Sequence, residues 1–374
     1  MEINKGFTRR TFSGYMDNTG NLQETIFSML KVDLHRHLIG SVKPQTFLEV
    51  AREYNIPLPT HDLGQLKHLI TISKPVSNLR DFLKPLKLIT QCFYDEDAIA
   101  KITYEAVRDA YKDNIRYLEL IVGSAGIALA HKLSLDEVYR GVIKGVRKAE
   151  NDFRVKVGLI DGPVFKWRKY GTHSPEEVLE VSLDHKKDGV VGFGLSSESK
   201  EGVPFSRWRR ELRKEYIRIS KIARESGLHV TVHAGETSGA ESVKDAIEIL
   251  SADRIGHGVN VVDDPEVLKL LVRTKTPLEI CLTSNILSGV VKSISQHPFK
   301  MLYELGAIVT LNTDDPSLCQ ITLTDEYVRA VKYFNLNLRD VKSITLNAVK
   351  ASFLPLKDKK KLLALFKHER TKAG

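Results

Sequence analysis

The chain has 374 residues, carries 56 Lys and Arg against 47 Asp and Glu, and has a formal net charge of +9. With 42% hydrophobic and 28% charged residues it has a globular composition, which excludes a fibrous, collagenous or largely disordered protein. Taken alone, the positive balance points to nucleic acid, an anionic surface or a phosphorylated substrate.

Residues 1–28 are rich in Thr, Gly and Asn, show weak periodicity and lack the apolar stretch of a signal peptide, so they read as an irregular N-terminal arm. Met29, just ahead of the first strand-like segment, is a second candidate start. From residue 29 to 374 a single pattern runs through the chain. Strand-like segments at 31–38, 115–122, 155–160, 189–195, 229–233, 254–256, 278–281 and 308–312 alternate with helix-like stretches such as 136–152, 209–226, 239–250, 264–273 and 298–305. Eight βα units predict one closed parallel (β/α)8 barrel domain spanning 29–374 rather than an open sheet. The connection 44–113 is too long for one crossover helix and predicts extra helices over the barrel mouth; the end of the chain predicts a C-terminal helical segment. Three scattered cysteines, Cys92, Cys281 and Cys319, build neither a disulfide framework nor a Cys-x-x-Cys site, so a reducing cytoplasm is the expected compartment. No apolar run approaches the roughly 18 residues of a membrane span.

Four clusters carry chemistry. In Asp33-Leu-His35-Arg-His37 the two histidines alternate along a strand and so share a face. That spacing suits a divalent metal, although an isolated His-x-His is more often a pair of ordinary histidines. In His233-Ala-Gly235-Glu236 a strand ends in a histidine, the glycine permits a tight turn, and a carboxylate follows; a dipole-stabilised Glu at a helix start is the plainer alternative. His229 shares the face of His233 and reads as a deeper, satisfied residue. Arg254-Ile-Gly-His257-Gly closes a short strand on a histidine between glycines, and Asn312-Thr-Asp314-Asp315-Pro closes the last strand on paired carboxylates. Alone, Asp-Asp-Pro is also a turn. Together the clusters occupy the C-terminal ends of strands one, five, six and eight, where a barrel builds its active site. Three histidines and an aspartate make a metal set, and Glu236, His257 and Asp315 remain for acid–base work: the pattern of a metal-activated hydrolase.

The stretches His35-Arg-His37-Leu-x-Gly40-Ser, His233-Ala-Gly-Glu236, Arg254-Ile-Gly-His257-Gly, Cys281-Leu-Thr-Ser-Asn285 and Asn312-Thr-Asp314-Asp315-Pro, in this order, resemble the adenosine deaminase family. The resemblance implies one Zn²⁺ per chain, bound by His35, His37, His233 and Asp314, that activates water to attack the purine carbon bearing the amino group. It further implies that Glu236 protonates the adjacent ring nitrogen. His257 would orient the nucleophile and stabilise the tetrahedral centre, and Asp315 would bond the imidazole-ring nitrogen of the purine. Ile39, Ser197, Gly235 and Asp315 are the expected substrate contacts.

Two positions depart from the family pattern. Ile39 stands where an acidic or amide residue usually grips the ribose 5′-hydroxyl, which predicts a 5′-modified adenosine such as 5′-methylthioadenosine. Ser197 stands where a glycine usually donates its N–H to the purine, and the surrounding segment is closer to adenine deaminases, so adenine is the alternative substrate. The expected partner is a small purine, with neither nucleic acid nor membrane involved. Deaminases that act on bases in polynucleotides carry His-x-Glu with Pro-Cys-x-x-Cys, absent here. The charge resolves into two patches: residues 200–221 (eight basic, three acidic) and 357–374 (seven basic, two acidic) each sum to +5, leaving −1 elsewhere.

Overall fold

The strand-like segments pair side by side in chain order, all parallel: β1 (Lys31–His37), β2 (Ile115–Ile121), β3 (Lys156–Asp161), β4 (Val190–Ser196), β5 (His229–Ala234), β6 (Arg254–His257), β7 (Leu278–Ile280) and β8 (Val309–Leu311). The structure, a computed structural model, describes residues 19–164 and 171–368. The sheet closes on itself where β8 meets β1: His37 N–H donates to the Asp314 carbonyl and Asp314 N–H to the His35 carbonyl, each at 2.8 Å. Asn312 Oδ1 takes the Leu34 N–H at 2.9 Å. The predicted helices form within one or two residues of the expected bounds, for example Leu135–Asp152, Arg210–Glu225 and Pro265–Thr274. Capping boxes at Ser134, Ser174, Thr322 and Asn337 start four of the helices.

The connection between β1 and β2 holds five helices: Pro44–Glu53, Leu63–Ile70, Leu79–Phe82, Lys84–Ile89 and Glu96–Lys112. It is stitched to the loops after β7 and β8, since Ile72 N–H donates to Leu318 O at 2.7 Å and Val76 N–H to Leu287 O at 2.9 Å. Leu83 and Leu86 are thereby held over the barrel mouth. At the other end, the helix Leu356–His368 packs Phe366 against Leu30 and Val32, the predicted C-terminal helical segment.

The arm expected to be irregular over 1–28 is corrected in part. Residues Thr19–Ser28 form a helix, and residues 1–18 lie outside the described residues. Tertiary packing overrides the weak local signal: Ile26 is buried in the main core. The buried Lys31 ammonium donates to the carbonyls of Ile26, Phe27 and Met29 at 3.1, 3.1 and 2.9 Å. A chain beginning at Met29 is therefore expected to lose about 1.5–3 kcal/mol from Ile26 alone, read as a lower urea midpoint. An unchanged midpoint would show that this helix is dispensable.

Candidate active site

β1 brings His35 and His37 to the mouth with ring centroids 5.3 Å apart. His233 at the end of β5 lies 4.7 Å from His35 and 5.7 Å from His37 by the same measure. Asp314 follows β8 and turns its Oδ1 to His37 Nε2 at 3.3 Å and His35 Nε2 at 3.6 Å. A tetrahedral zinc with bonds of about 2.0–2.1 Å requires ligand atoms about 3.3 Å apart; His35, His37 and Asp314 stand near that spacing, and His233 groups with His35 on the same side. His35 Nε2 is buried and has no hydrogen-bond partner, as expected of an atom whose lone pair is meant for a ligand. Gly256 makes room, for a Cβ there would sit 2.9 Å from His35 Cε1.

What aims His35 lies inside the barrel. Its Nδ1 donates to Glu279 Oε2 at 2.6 Å, fixing Nε2 as the free atom. Glu279 Oε1 takes Thr231 Oγ1 at 2.9 Å and Arg254 Nε at 2.5 Å. Arg254 also pairs with Glu119 and lies 3.4 Å over the Phe353 ring, whose backbone N–H bonds Glu119. Burial works to raise the Glu279 pKa, but Arg254 and His35 hold it well below the ordinary carboxylate range.

Glu236 follows the turn at Gly235, whose φ of +63° and close approach to Val243 and Gly258 exclude a side chain. The backbone N–H groups of Glu236, Thr237 and Ser238 all donate to the buried Glu198 carboxylate, at 3.0, 2.9 and 2.8 Å. Burial first, then the charges of Asp314, Glu198 and Asp315, push the Glu236 pKa well up, which favours its acid form. Its Oε2 lies 3.7 Å from His257 Nε2. Burial lowers the His257 pKa to about 4. Asp315 Oδ1 is buried without a partner and sits so close to Gly40 that any β-carbon there would collide with it. Burial and the neighbouring Asp314 raise the Asp315 pKa to about 7. Of the described non-glycine residues with positive φ, only His257 (+62°) and Asp314 (+59°) are buried. These two hold left-handed backbone in the interior, where the candidate site lies.

This is a catalytic constellation at the C-terminal mouth of a barrel. The family model for adenosine deaminase matches residues 30–368. The chain belongs to the adenosine deaminase family. It is accordingly a hydrolase acting on the C–N bond of a cyclic amidine. It is 34% identical to the adenosine deaminase of Clostridium perfringens (strain SM101 / Type A) over 339 residues, 90% of this chain and 98% of that one. The adenine deaminase of Arthrobacter aurescens shares the fold, with a TM-score of 0.81, 24% identity and coverage of 92% and 100% of the two chains. The N6-mAMP deaminase of Arabidopsis superposes with a TM-score of 0.77 at 27% identity, covering 92% of this chain and 99% of that one.

Most residues expected from the adenosine deaminase pattern come together: His35 groups with His233 and His257 and also with His37 and Asp314, Glu236 lies beside His257, and Asp315 lines a cavity with His37 and Ile39. At two expected substrate contacts the donors are spent inside the chain. Ser197 is fully buried, its N–H donates to His233 O at 3.0 Å and its hydroxyl to Ser242 O at 2.7 Å, so neither donor is free for a purine. Gly235 N–H is taken by Ser242 Oγ at 2.8 Å, leaving the glycine a turn former rather than a contact. His229 is not deep: it sits at the base of β5, half exposed, stacked 4.6 Å from the Phe353 ring. Sequence reasoning missed Glu279, Glu198, Asn285 and His297 as working residues. For Glu279 the signal was an acidic residue inside an apolar strand; Asn285 lay within a quoted motif without a role.

Proposed function

We propose that this chain is a zinc-dependent deaminase that converts a 6-aminopurine nucleoside to the 6-oxopurine and ammonia, and that its preferred substrate is an adenosine with an apolar 5′ group, such as 5′-methylthioadenosine. The observation that carries the substrate reading is the wall beside His37 and Asp315. A cavity of about 80 Å³ is lined there by Ile39, Leu83, Leu86, Ile121 and Val122. These aliphatic side chains offer nothing to a hydroxyl or a phosphate. No residue of the basic patch lines this cavity, and Arg207 pairs with Glu241, Arg218 with Glu176 and Lys221 with Glu225.

His35, His37, His233 and Asp314 would hold the zinc, which supplies the Lewis acidity that makes water nucleophilic near neutral pH. Glu236 enters as the acid and gives its proton to the ring nitrogen next to the carbon under attack. The ring then accepts the water oxygen at that carbon without stranding negative charge. His257 presents Nε2 toward Glu236 and orients the attacking water. Asp315 faces the purine with an unpartnered oxygen, and in its acid form donates to the imidazole-ring nitrogen. One proton of the water restores the Glu236 acid, the second passes from the new hydroxyl to the amino group, and the amino group leaves as ammonia while the ring nitrogen keeps the proton it received.

Stranding a 5′-hydroxyl without a partner costs about 1–3 kcal/mol, about 5- to 150-fold in kcat/KM. 5′-Methylthioadenosine is expected to exceed adenosine by that margin in an ammonia-release assay, and Ile39→Asp to reverse the order. Adenine, AMP and N6-methyl-AMP complete the panel. A clear preference for adenosine, or for adenine, would overturn the 5′ reading.

A further inference from the structure

We infer that Asn285 and His297 are positioning residues that set which nitrogen of His257 carries the proton, so that Nε2–H is the atom presented to the reacting centre. The inference rests on the deaminase reading above for its catalytic meaning, but its geometry stands on its own.

The argument starts at a group with no choice of role. The N–H of Phe299 opens the helix Phe299–Glu304 and has no intrahelical acceptor; it donates to His297 Nδ1 at 3.1 Å. His297 is buried, and burial pushes its pKa down to about 3, so the ring is neutral. A neutral imidazole that accepts at Nδ1 must hold its one proton on Nε2. His297 Nε2 lies 3.2 Å from the Asn285 side chain, and that proton needs an oxygen, so Oδ1 of Asn285 must face His297. The amide nitrogen then faces His257 Nδ1, at 3.1 Å. An amide nitrogen only donates, so His257 Nδ1 accepts. This excludes both the imidazolium and the Nδ1–H tautomer. The opposite amide orientation would leave His297 with two acceptor nitrogens and no proton.

The remaining His257 proton sits on Nε2, 3.7 Å from Glu236 Oε2. The direction of this chain of hydrogen bonds is therefore set by a backbone N–H some three side chains away. Asn285 is itself held rigidly: its N–H donates to Cys281 O at 2.9 Å and its carbonyl accepts from Val291 N–H at 2.8 Å.

The test uses the full chain labelled with ¹⁵N-histidine. Long-range ¹H–¹⁵N correlations are expected to show an unprotonated Nδ1 and a protonated Nε2 at both His257 and His297, assigned by comparison with His257→Gln and His297→Phe. A protonated Nδ1 at His257 in the parent chain overturns the inference, with no substrate involved. Asn285→Asp places an acceptor against His257 Nδ1 and is expected to move the proton there, lowering kcat about 10- to 100-fold while KM stays within twofold and metal content is unchanged. His297→Phe frees the amide to turn and is expected to lower kcat in the same direction. A merely structural role would lower the melting temperature of both variants but leave the His257 tautomer and the kcat of the folded fraction as in the parent, and that outcome also overturns the inference. The deaminase reading fails separately, if the parent releases no ammonia from any 6-aminopurine.

Discussion

Glu236→Gln is expected to lower kcat by about 10²- to 10⁴-fold, the usual contribution of a positioned general acid, with KM changed little. Glutamine keeps the shape and can still donate from an amide, but it has no proton to transfer to the purine ring. The loss is not expected to come from unfolding. The Glu236 pKa is raised in the folded chain from an ordinary 4.5, so the folded state binds this proton more tightly than the unfolded one. Stability from this site therefore falls as pH rises from about 4.5 toward the folded value. A neutral amide removes that penalty, and the variant should unfold at neutral pH at a urea concentration no lower than the parent. Full turnover by Glu236→Gln would mean that another acid protonates the substrate.

The largest expected effect on stability is at Arg254→Met. The guanidinium is buried between Glu119 and Glu279, both with no exposed surface. Removing it strands two carboxylates in the barrel interior, a loss of about 3–5 kcal/mol. In the parent, the depressed Glu279 pKa contributes stability that is present above the ordinary value of 4.5 and lost as pH falls toward the folded value. The variant should lose that contribution and a flatter acid limb should result. Because Glu279 holds His35 Nδ1, metal affinity should also fall about 10- to 100-fold. Equilibrium unfolding and metal titration read the two effects; an unfolding midpoint equal to that of the parent would show that the interior charges are solvated after all. Adding Glu119→Gln should recover part of the stability.

The strands were legible because each is a short apolar run ended by a polar or glycine break, and the eightfold alternation with amphipathic stretches leaves few topologies open. The residues proposed to hold the metal and supply the acid were legible because they stand at those breaks. What was hidden depends on pairing between distant segments. Glu279 is 244 residues from the histidine it aims, and nothing local to the sequence Leu-Glu-Ile reveals its partner. Ser197 was misplaced because the β4–β5 pairing, with Ser196 opposite His233, consumes the adjacent N–H. For His229, alternation correctly assigned the face but not the depth: on a tilted strand the first residue reaches solvent at the barrel base. His297 announces nothing at all, since its role comes from a helix-end N–H two residues on.

The seam between β8 and β1 has a consequence for how the enzyme is made. The two backbone hydrogen bonds that complete the ring are formed by His35, His37 and Asp314, residues of the proposed metal site. A ribosome-bound chain has therefore already displayed β1 as a bare edge throughout the synthesis of some 280 intervening residues. Such an edge is a template for unwanted strand pairing, and contacts this distant in sequence form late. The residue set that would hold an ion spans that seam, so it is complete only once the cylinder is sealed.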